Sequence, residues 1–331
     1  MKVLFIGGTG KISSACSQLA VDQGIELYLL NRGQTSARPA PKEAIILNGN
    51  IYDYQSAKQV IGELKFDCVV DWIAYTPKDI ENDLSLFADR TEQYIFISSA
   101  SAYQKPLLKL PITEATPLVN PHWEYSRNKI ACEERLLKAY REENFPITIV
   151  RPSHTYDKTM IPLKGAYTAI DRMRKGKKII IHGDGTSIWV LTHHKDFAKG
   201  FVGLLGNKHA IGEAFQITSD ELLSWNQICN IMANAAGTEP KIIHIPSDLI
   251  AAYDKQWGEE LLGDKSSSVI FDNSKIKSVV PDFHATIPFA KGAEEIMNWY
   301  NADPSRQIID EPLNHLMDKI ITAYESAFPK E

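Results

Sequence analysis

Tyr125 and Lys129 stand four positions apart and carry the side chains that acid–base chemistry needs. They belong to the run YSRNK at the start of an amphipathic helical pattern, so both side chains are predicted on one helix face. An ammonium group beside a phenol favours the phenolate and lowers the phenol pKa from its free value of about 10. We therefore predict that Tyr125 exchanges protons near neutral pH with help from Lys129. The alternative is an ordinary solvated helix face.

A third polar side chain, Ser99, follows the apolar run YIFIS. Ligands of parallel sheets bind beyond the carboxyl ends of the strands, so its hydroxyl is predicted at the mouth of a cleft. Ser99, Tyr125 and Lys129 then form one candidate catalytic group.

The N-terminus holds a glycine-rich loop, GGTGKIS, between the apolar run KVLFI and a helical pattern that stops at Gly24. One glycine makes the tight turn, another lets the backbone approach phosphates, and the helix N-terminus attracts their charge. Ser13 stands where a third glycine is usual, and we expect a slight outward shift of the helix there. The loop predicts a phosphate site at Gly7, Gly10, Lys11 and Ile12.

Apolar runs alternate with helical patterns through the first half of the chain. We predict strands at 25–30, 44–47, 66–73, 94–98 and 147–150. We predict helices between them at 55–64, 78–88 and 125–143. This alternation is typical of an α/β fold with a Rossmann-like, doubly wound parallel sheet.

The rhythm is lost after about residue 160, which predicts two domains. Residues 1–160 form the nucleotide-binding domain of this prediction, and 161–331 mainly a smaller, mixed C-terminal lobe that binds substrate. Helices are predicted in that lobe at 224–236 and 287–299. Two segments, 190–205 and 214–218, are expected to return to the large sheet.

The chain resembles the extended branch of the short-chain dehydrogenase/reductase superfamily, the NAD(P)-dependent epimerase/dehydratase family. The resemblance covers nearly the whole chain and is strongest through residue 156. Its motifs are GGTG at 7–10, Ser99-x-x-x-Tyr103, Tyr125-x-x-x-Lys129, RPSHTY at 151–156 and HGDG at 182–185.

The resemblance implies hydride transfer between NAD(P) and a substrate carbon, with the proton moving through Tyr125. It implies that Lys129 also holds the nicotinamide ribose and that Ser99 bonds the reacting oxygen. Further cofactor contacts are expected at Asn31, Arg32, Asn50, Ile51, Trp72 and Pro152, and substrate contacts at Tyr75, Ser101 and His154. Trp72 has a competing interpretation as a core residue, and His154 as the partner of a buried backbone group.

The end of the second strand bears on the choice of cofactor. An NAD-dependent relative usually has a carboxylate there for the ribose hydroxyls, whereas this chain has Asn31 and Arg32. Arg32 can pair with a 2′-phosphate, which favours NADP, although NAD stays open and the arginine can also be a solvated turn residue.

The residues at positions 100 and 101, directly after Ser99, bear on the type of reaction. Dehydratases of this branch usually carry an acidic pair there, whereas this chain has Ala100 and Ser101. Elimination is therefore disfavoured unless another residue substitutes. Oxidation, reduction or epimerisation through a keto intermediate needs only Ser99, Tyr125, Lys129 and the cofactor.

Composition limits the alternatives. The net charge of -5 argues against binding driven by nucleic-acid phosphates. Four scattered cysteines without metal-ligand spacing predict buried thiols, no metal and a cytoplasmic location. No apolar run reaches membrane-spanning length. A homodimer is expected from the resemblance, and Leu136, Leu137 and Tyr140 either contribute to its surface or pack on the sheet.

The leading hypothesis is an NAD(P)-dependent epimerase or oxidoreductase of a sugar or sugar nucleotide. The alternatives are a reductase of a small non-sugar carbonyl and a non-catalytic nucleotide-sensing or RNA-binding relative. A basic cluster at 172–178 is either a pyrophosphate site or a solvated helix face.

Overall fold

The computed structural model describes residues 1–33 and 38–329. Its strands are β1 (Lys2–Ile6), β2 (Glu26–Asn31), β3 (Ile45–Asn48), β4 (Cys68–Asp71), β5 (Tyr94–Ile97), β6 (Ile147–Pro152), β7 (His154–Tyr156), β8 (Lys178–His182), β9 (Ile188–Trp189), β10 (Leu191–His193), β11 (Ala214–Ile217), β12 (Leu223–Ser224) and β13 (Lys241–Ile245). Seven of them form one parallel sheet in the order β11-β6-β5-β4-β1-β2-β3. The predicted Rossmann-like α/β class is confirmed.

The helices cover both faces of this sheet and build the second lobe. They are α1 (Ser13–Asp22), α2 (Tyr54–Ile61), α3 (Pro77–Phe87), α4 (Glu124–Glu143), α5 (Tyr167–Arg174), α6 (His194–Val202), α7 (Trp225–Ala235), α8 (Ser247–Tyr253), α9 (Lys255–Glu260), α10 (Ser274–Val279), α11 (Phe289–Asn301) and α12 (Glu311–Ser326). A π-helical turn, Leu261–Lys265, directly follows α9.

Apolar residues on both faces of the strands explain why the sheet lies in the middle. Val3, Leu4, Phe5 and Ile6 of β1 are all fully buried, as expected for a parallel strand covered on both sides. One face packs against α1 and α6, and the other packs against α2, α3 and α4. The carboxyl ends of β1, β4 and β5 therefore meet at one edge.

Strand β4 is shorter than the predicted 66–73 run because a side chain turns the backbone. The carboxylate of Asp71 accepts hydrogen bonds from the backbone N–H groups of Ile73 (2.6 Å) and Ala74 (2.7 Å). These bonds replace the ladder partners that a longer strand would have. Residues 72–75 thus become a loop above the sheet edge.

The rest of the chain forms a second lobe with three two-stranded sheets, β7 with β10, β9 with β12 and β8 with β13. Its own apolar cores lie around α5, α7 and α11 and around α8, α9 and α12. Segment 214–217 pairs with β6 in the large sheet, whereas 190–205 contributes α6 to a face of that sheet and no strand to it.

Candidate active site

The glycine loop after β1 is held in a conformation that only glycine accepts. Gly7 has φ of 87°, and a Cβ there would lie 2.6 Å from Cγ2 of Ile73. Ser13 closes the loop from the first turn of α1: its Oγ accepts a hydrogen bond from the Gly10 N–H (2.8 Å) and donates one to the Gly7 carbonyl (2.9 Å). Ser13, which stands in place of a third glycine, thus stabilises the loop conformation through two hydrogen bonds. This role was not predicted from the sequence.

Two cavities flank this loop. The first, here the loop cavity, has a volume of about 390 Å³ and the second, the rim cavity, about 540 Å³. The predicted cofactor residues that line the loop cavity are Gly7, Gly10, Lys11, Ile12, Trp72, Lys129 and Pro152. Those that line the rim cavity are Gly7, Gly10, Lys11, Asn31, Arg32, Asn50 and Ile51. The fold therefore gathers every predicted cofactor residue along one continuous groove.

Ser99 and Tyr125 join this groove to a third space, the tyrosine cavity, of about 240 Å³. Both residues line the loop cavity and the tyrosine cavity together with Pro152 and His154. Ser99 comes directly after β5, and Tyr125 lies in the first turn of α4. A group bound beside the glycine loop can therefore meet a second ligand at these two hydroxyls.

Lys129 donates its hydrogen bonds to two backbone carbonyls and not to the Tyr125 phenol. Its Nζ donates to the carbonyls of Ala74 (2.7 Å) and Ile97 (2.8 Å) and lies 4.7 Å from the ring centroid of Phe96. Burial lowers the pKa of Lys129 from its usual value, with the charge of Asp71 opposing the shift. An ammonium group has three N–H donors, so one remains for a ligand or for Tyr125.

The pKa of Tyr125 differs from the expected direction. Burial raises it to about 12, and the Ser99 hydroxyl only partly offsets this effect. The ring lies between two others, with centroids 5.7 Å from Tyr75 and 5.0 Å from Trp123. The phenol pKa is therefore raised, whereas a lowered value was predicted from the sequence, because desolvation disfavours the phenolate.

Ser101 positions Ser99 through a chain of hydroxyls. Its Oγ lies 2.9 Å from that of Ser99 and accepts a hydrogen bond from Ser126 of α4 (2.8 Å). Ser101 is buried and lines the tyrosine cavity. The chain connects the end of β5 to the helix that carries Tyr125.

His154 lies where the loop and tyrosine cavities meet. Its Nδ1 accepts a hydrogen bond from the indole N–H of Trp189 (3.1 Å), so the neutral ring carries its proton on Nε2. Burial lowers its pKa to about 3. Among the described residues its hydrogen-bond partner is a tryptophan side chain and no backbone group, and its buried Nε2 is left without a partner there.

Trp72 and Tyr75, the two aromatic candidates before α3, differ in burial and in their contacts. Trp72 is half-buried and lines the loop cavity while its ring packs on Phe5 and Phe201, so the core and cofactor interpretations both describe part of it. Tyr75 is exposed, and its ring contacts Tyr125.

The tyrosine cavity also receives residues that no local motif announced. They are Trp123, Trp189, Asp264, Lys265, Val269 and Phe271. Asp264 and Lys265 come from the π-helical turn, a feature that often marks functional sites. Asp264 places a carboxyl group at this cavity, whereas Ala100 and Ser101 carry none. Nothing in its sequence neighbourhood indicates this, because the second lobe brings it to the first from more than a hundred positions away.

The basic cluster at 172–178 serves the second lobe's own structure. Arg172 is buried and donates to the Lys178 carbonyl and to Asn314, and Lys177 pairs with Asp318 (3.0 Å). No residue of the cluster lines the loop, rim or tyrosine cavity. The structure therefore brings the cluster to none of these three cavities, and the pyrophosphate interpretation stays a prediction.

The fourth cavity, the lobe cavity of about 190 Å³, shares His154 and Lys265 with the tyrosine cavity. Trp225, Trp257 and Lys164 also line it. It extends the ligand space into the second lobe.

The residues proposed for a dimer surface mostly face inward. Leu136 is fully buried, Leu137 packs against the same core, and only Tyr140 is exposed. Within the described ranges, no helix is long and apolar enough to cross a membrane, and no group of three or more His, Cys, Asp or Glu side chains is arranged to hold a metal ion.

Comparison with known proteins agrees with this geometry. The model of the NAD dependent epimerase/dehydratase family matches residues 3–218, which include the glycine loop, Ser99, Tyr125 and Lys129. The chain belongs to the NAD-dependent epimerase/dehydratase family. The protein is therefore an NAD-dependent enzyme by family, in agreement with its Rossmann-like sheet.

Individual relatives are more distant. The chain is 30% identical over 261 residues to the chloroplast stem-loop binding protein of 41 kDa b of Arabidopsis thaliana, across 73% of this chain and 65% of that protein. It is 32% identical over 170 residues to a UDP-glucose 4-epimerase of Lactobacillus helveticus, across 46% of this chain and 51% of the relative. The alignments thus span about half to two thirds of these relatives' lengths. An epimerase structure from Methanothermobacter thermautotrophicus shares the fold, with a TM-score of 0.76 at 18% identity over 92% of this chain and 94% of that one.

Proposed function

We propose that the protein interconverts a hydroxyl and a keto group on a sugar or sugar nucleotide, with NAD(P) as cofactor and Tyr125 as the acid–base group. One observation carries this proposal: Ser99, Tyr125 and Lys129 line the same cavity as the glycine loop. The loop also fits a dinucleotide, since Gly7 adopts a φ of 87° that favours glycine and both Gly7 and Gly10 line the loop and rim cavities. Bound NAD(P) supplies the hydride acceptor or donor.

The chain's own residues then manage the proton and the reacting oxygen. With a pKa of about 12, the Tyr125 phenol is protonated at neutral pH and is set to donate to a substrate oxygen. Ser99 can hydrogen-bond the same oxygen. Lys129, with one N–H free, adds positive charge beneath the phenol and favours the phenolate that the reverse direction requires.

Replacing Tyr125 by Phe tests the assignment. Removing a general acid–base group costs roughly 10²–10⁴-fold in turnover, whereas NAD(P) affinity should change little. The assay uses UDP-glucose and dTDP-glucose as probes, with Tyr140→Phe on the same helix as the matched control. Full turnover by the Tyr125→Phe variant would remove the tyrosine from the mechanism, and salt-sensitive RNA binding in its place would favour the non-catalytic alternative.

The rim cavity supports NADP as the preferred cofactor. Arg32, Arg38 and Lys11 line it, and no carboxylate is among its described lining residues. Arg38 is engaged with Asp157 at 2.6 Å, which leaves Arg32 as the arginine for a 2′-phosphate. Positive charge without an opposing carboxylate favours the phosphorylated ribose.

We therefore expect the wild-type protein to bind NADPH more tightly than NADH. Arg32→Ala should weaken NADPH binding by about tenfold, the effect of one charge-assisted hydrogen bond, and leave NADH unchanged. Lys42→Ala, which removes an exposed lysine that is not among the lining residues of the rim cavity, is the control. Cofactor fluorescence titration measures each affinity, and tighter binding of NADH by the wild type would contradict the NADP proposal.

A sugar nucleotide is the proposed substrate because the Lys265 ammonium group lies between the tyrosine cavity and the lobe cavity. Lys265 lines both the tyrosine and the lobe cavities and Lys164 lines the lobe cavity, where the two lysines share Glu260 as ion-pair partner at 3.6 and 3.3 Å. A diphosphate placed there would meet positive charge while its sugar reaches Tyr125. The UDP-glucose 4-epimerase relative acts on a substrate of this kind by its name.

A further inference from the structure

The π-helical turn Leu261–Lys265 is fixed against the tyrosine cavity at its backbone. Gly263 approaches Trp123 so closely that a Cβ on it would lie 2.7 Å from the Trp123 Cβ. The Asn120 side chain donates to the Gly263 carbonyl at 2.7 Å and to the Ser101 carbonyl at 2.9 Å. One amide therefore joins this turn to the strand end that carries Ser99.

The carboxyl group of Asp264 is placed by a buried lysine. Nζ of Lys105, whose side chain is only 1% exposed, donates to the Asp264 carbonyl at 3.3 Å and lies 3.6 Å from its carboxylate. The Asp264 side chain keeps 18% of its surface accessible and lines the tyrosine cavity. Such anchoring holds an acid–base group in one position before a ligand arrives.

Asp264 and Tyr125 interact electrostatically across the tyrosine cavity. The charge of Asp264 contributes to raising the pKa of Tyr125, so the two groups lie within electrostatic range. Burial also raises the pKa of the Asp264 carboxyl above its ordinary value, while Lys105 and Lys265 oppose that shift. A carboxylate of increased basicity is suited to taking a proton from carbon.

We propose that Asp264 is a second proton-transfer residue of the active site, acting on the carbon next to the carbonyl carbon that Ser99 and Tyr125 address. This assignment rests on the proposed acid–base function of Ser99 and Tyr125. It names the ligand class as a sugar derivative with a C–H bond adjacent to a keto group. It also identifies the carboxyl group that the positions after Ser99 lack.

The step balances without a further reactant. The C–H bond beside the carbonyl breaks, and its proton forms an O–H bond with the Asp264 carboxylate. The electron pair moves into the carbonyl to give an enolate oxygen, which Ser99 and Tyr125 stabilise by donating hydrogen bonds. Return of the proton restores the ketone, with solvent hydrogen incorporated if the carboxyl group exchanges first.

Deuterium exchange into a ketone tests this step separately from hydride transfer. The NADP-bound protein is incubated in D₂O with dTDP-4-keto-6-deoxyglucose, and mass spectrometry follows its deuterium content after calorimetry has established saturation. The variants are Asp264→Asn, which keeps the shape of the side chain, and Asp264→Glu, which keeps the carboxylate. Asp248→Asn, at an exposed carboxylate of α8, is the matched control. Nicotinamide reduction by UDP-glucose and dTDP-glucose is measured in parallel.

We expect wild-type exchange well above the enzyme-free rate, a roughly hundredfold or greater loss in Asp264→Asn, and partial retention in Asp264→Glu. Nicotinamide reduction by the wild type is read independently of exchange, because hydride transfer to the cofactor and proton transfer from carbon are separate steps. Exchange that is absent in the wild type, or equal in Asp264→Asn, overturns the role of Asp264 and leaves hydride transfer standing. Exchange without any nicotinamide reduction supports Asp264 and overturns the proposed redox function.

Discussion

Tyr125 and Lys129 show how burial acts on two groups of opposite charge. The phenol pKa is raised and the ammonium pKa is lowered, because a low-dielectric environment disfavours the charged form of each. A ligand that fills the cavities changes this environment. In the proposed reaction the protonated Tyr125 can therefore donate a proton, and the phenolate must be stabilised when a substrate is oxidised.

His182 gives a pH prediction at the same scale. It is buried at the lobe cavity, its Nε2 lies 2.9 Å from the Lys265 carbonyl, and burial lowers its pKa to about 4. Since the folded pKa lies below the unfolded value of about 6.5, the histidine stabilises the fold above that pH, and the contribution is lost as pH falls toward 4. By linkage it is on the order of 3 kcal/mol.

Denaturant unfolding of wild type and His182→Gln measures the effect between about pH 7 and pH 5. We expect the free energy of unfolding of the wild type to fall more steeply than that of the variant. Exposed His315, replaced by Gln, is the control and should leave the slope unchanged. Equal slopes in wild type and His182→Gln would refute the prediction.

The glycine loop and α1 act as one element because Ser13 bonds both ends of the turn. We expect Ser13→Ala to weaken NADPH binding by about three- to tenfold, the effect of losing one or two neutral hydrogen bonds. Ser14→Ala, one position later, should bind as the wild type does. Fluorescence titration measures the NADPH affinity of both variants. Unchanged affinity in Ser13→Ala would show that the loop keeps its conformation without the two Ser13 hydrogen bonds.

The helix α4 is tied to β6 by a buried ion pair. Glu133 and Arg151 are 2.6 Å apart with side chains 0% and 5% exposed, and the Ser98 hydroxyl also donates to this carboxylate. The pair connects the helix that carries Tyr125 to the strand that leads to Pro152.

Breaking this pair should destabilise the whole molecule. Glu133→Gln leaves the Arg151 charge buried without its partner, at a cost of roughly 3–5 kcal/mol. Glu134→Gln, an exposed neighbour on the same helix, should cost less than about 0.5 kcal/mol. Chemical denaturation compares the two, and a similar stability for both variants would contradict the structural role of the pair.

Much of the fold was predictable because its signals are local. Alternating apolar runs and helical patterns indicated the parallel sheet, and the glycine loop and YSRNK indicated where ligands meet it. The end of β4 was missed, because the Asp71 side chain and not apolar periodicity ends the strand. The role of the 172–178 cluster was left open, because its acidic partners, such as Asp318 for Lys177, lie far away in sequence.

The sequence by itself determined the fold class and the family, and it indicated Ser99, Tyr125 and Lys129 as candidates, since strand and helix periods and motif spacing are properties of neighbouring residues. The tertiary structure decided what surrounds them. Asp264 and Lys265 reach the tyrosine cavity only because the second lobe packs their π-helical turn on Trp123. The protonation state of Tyr125 was likewise decided by burial, which depends on contacts between residues remote in the chain.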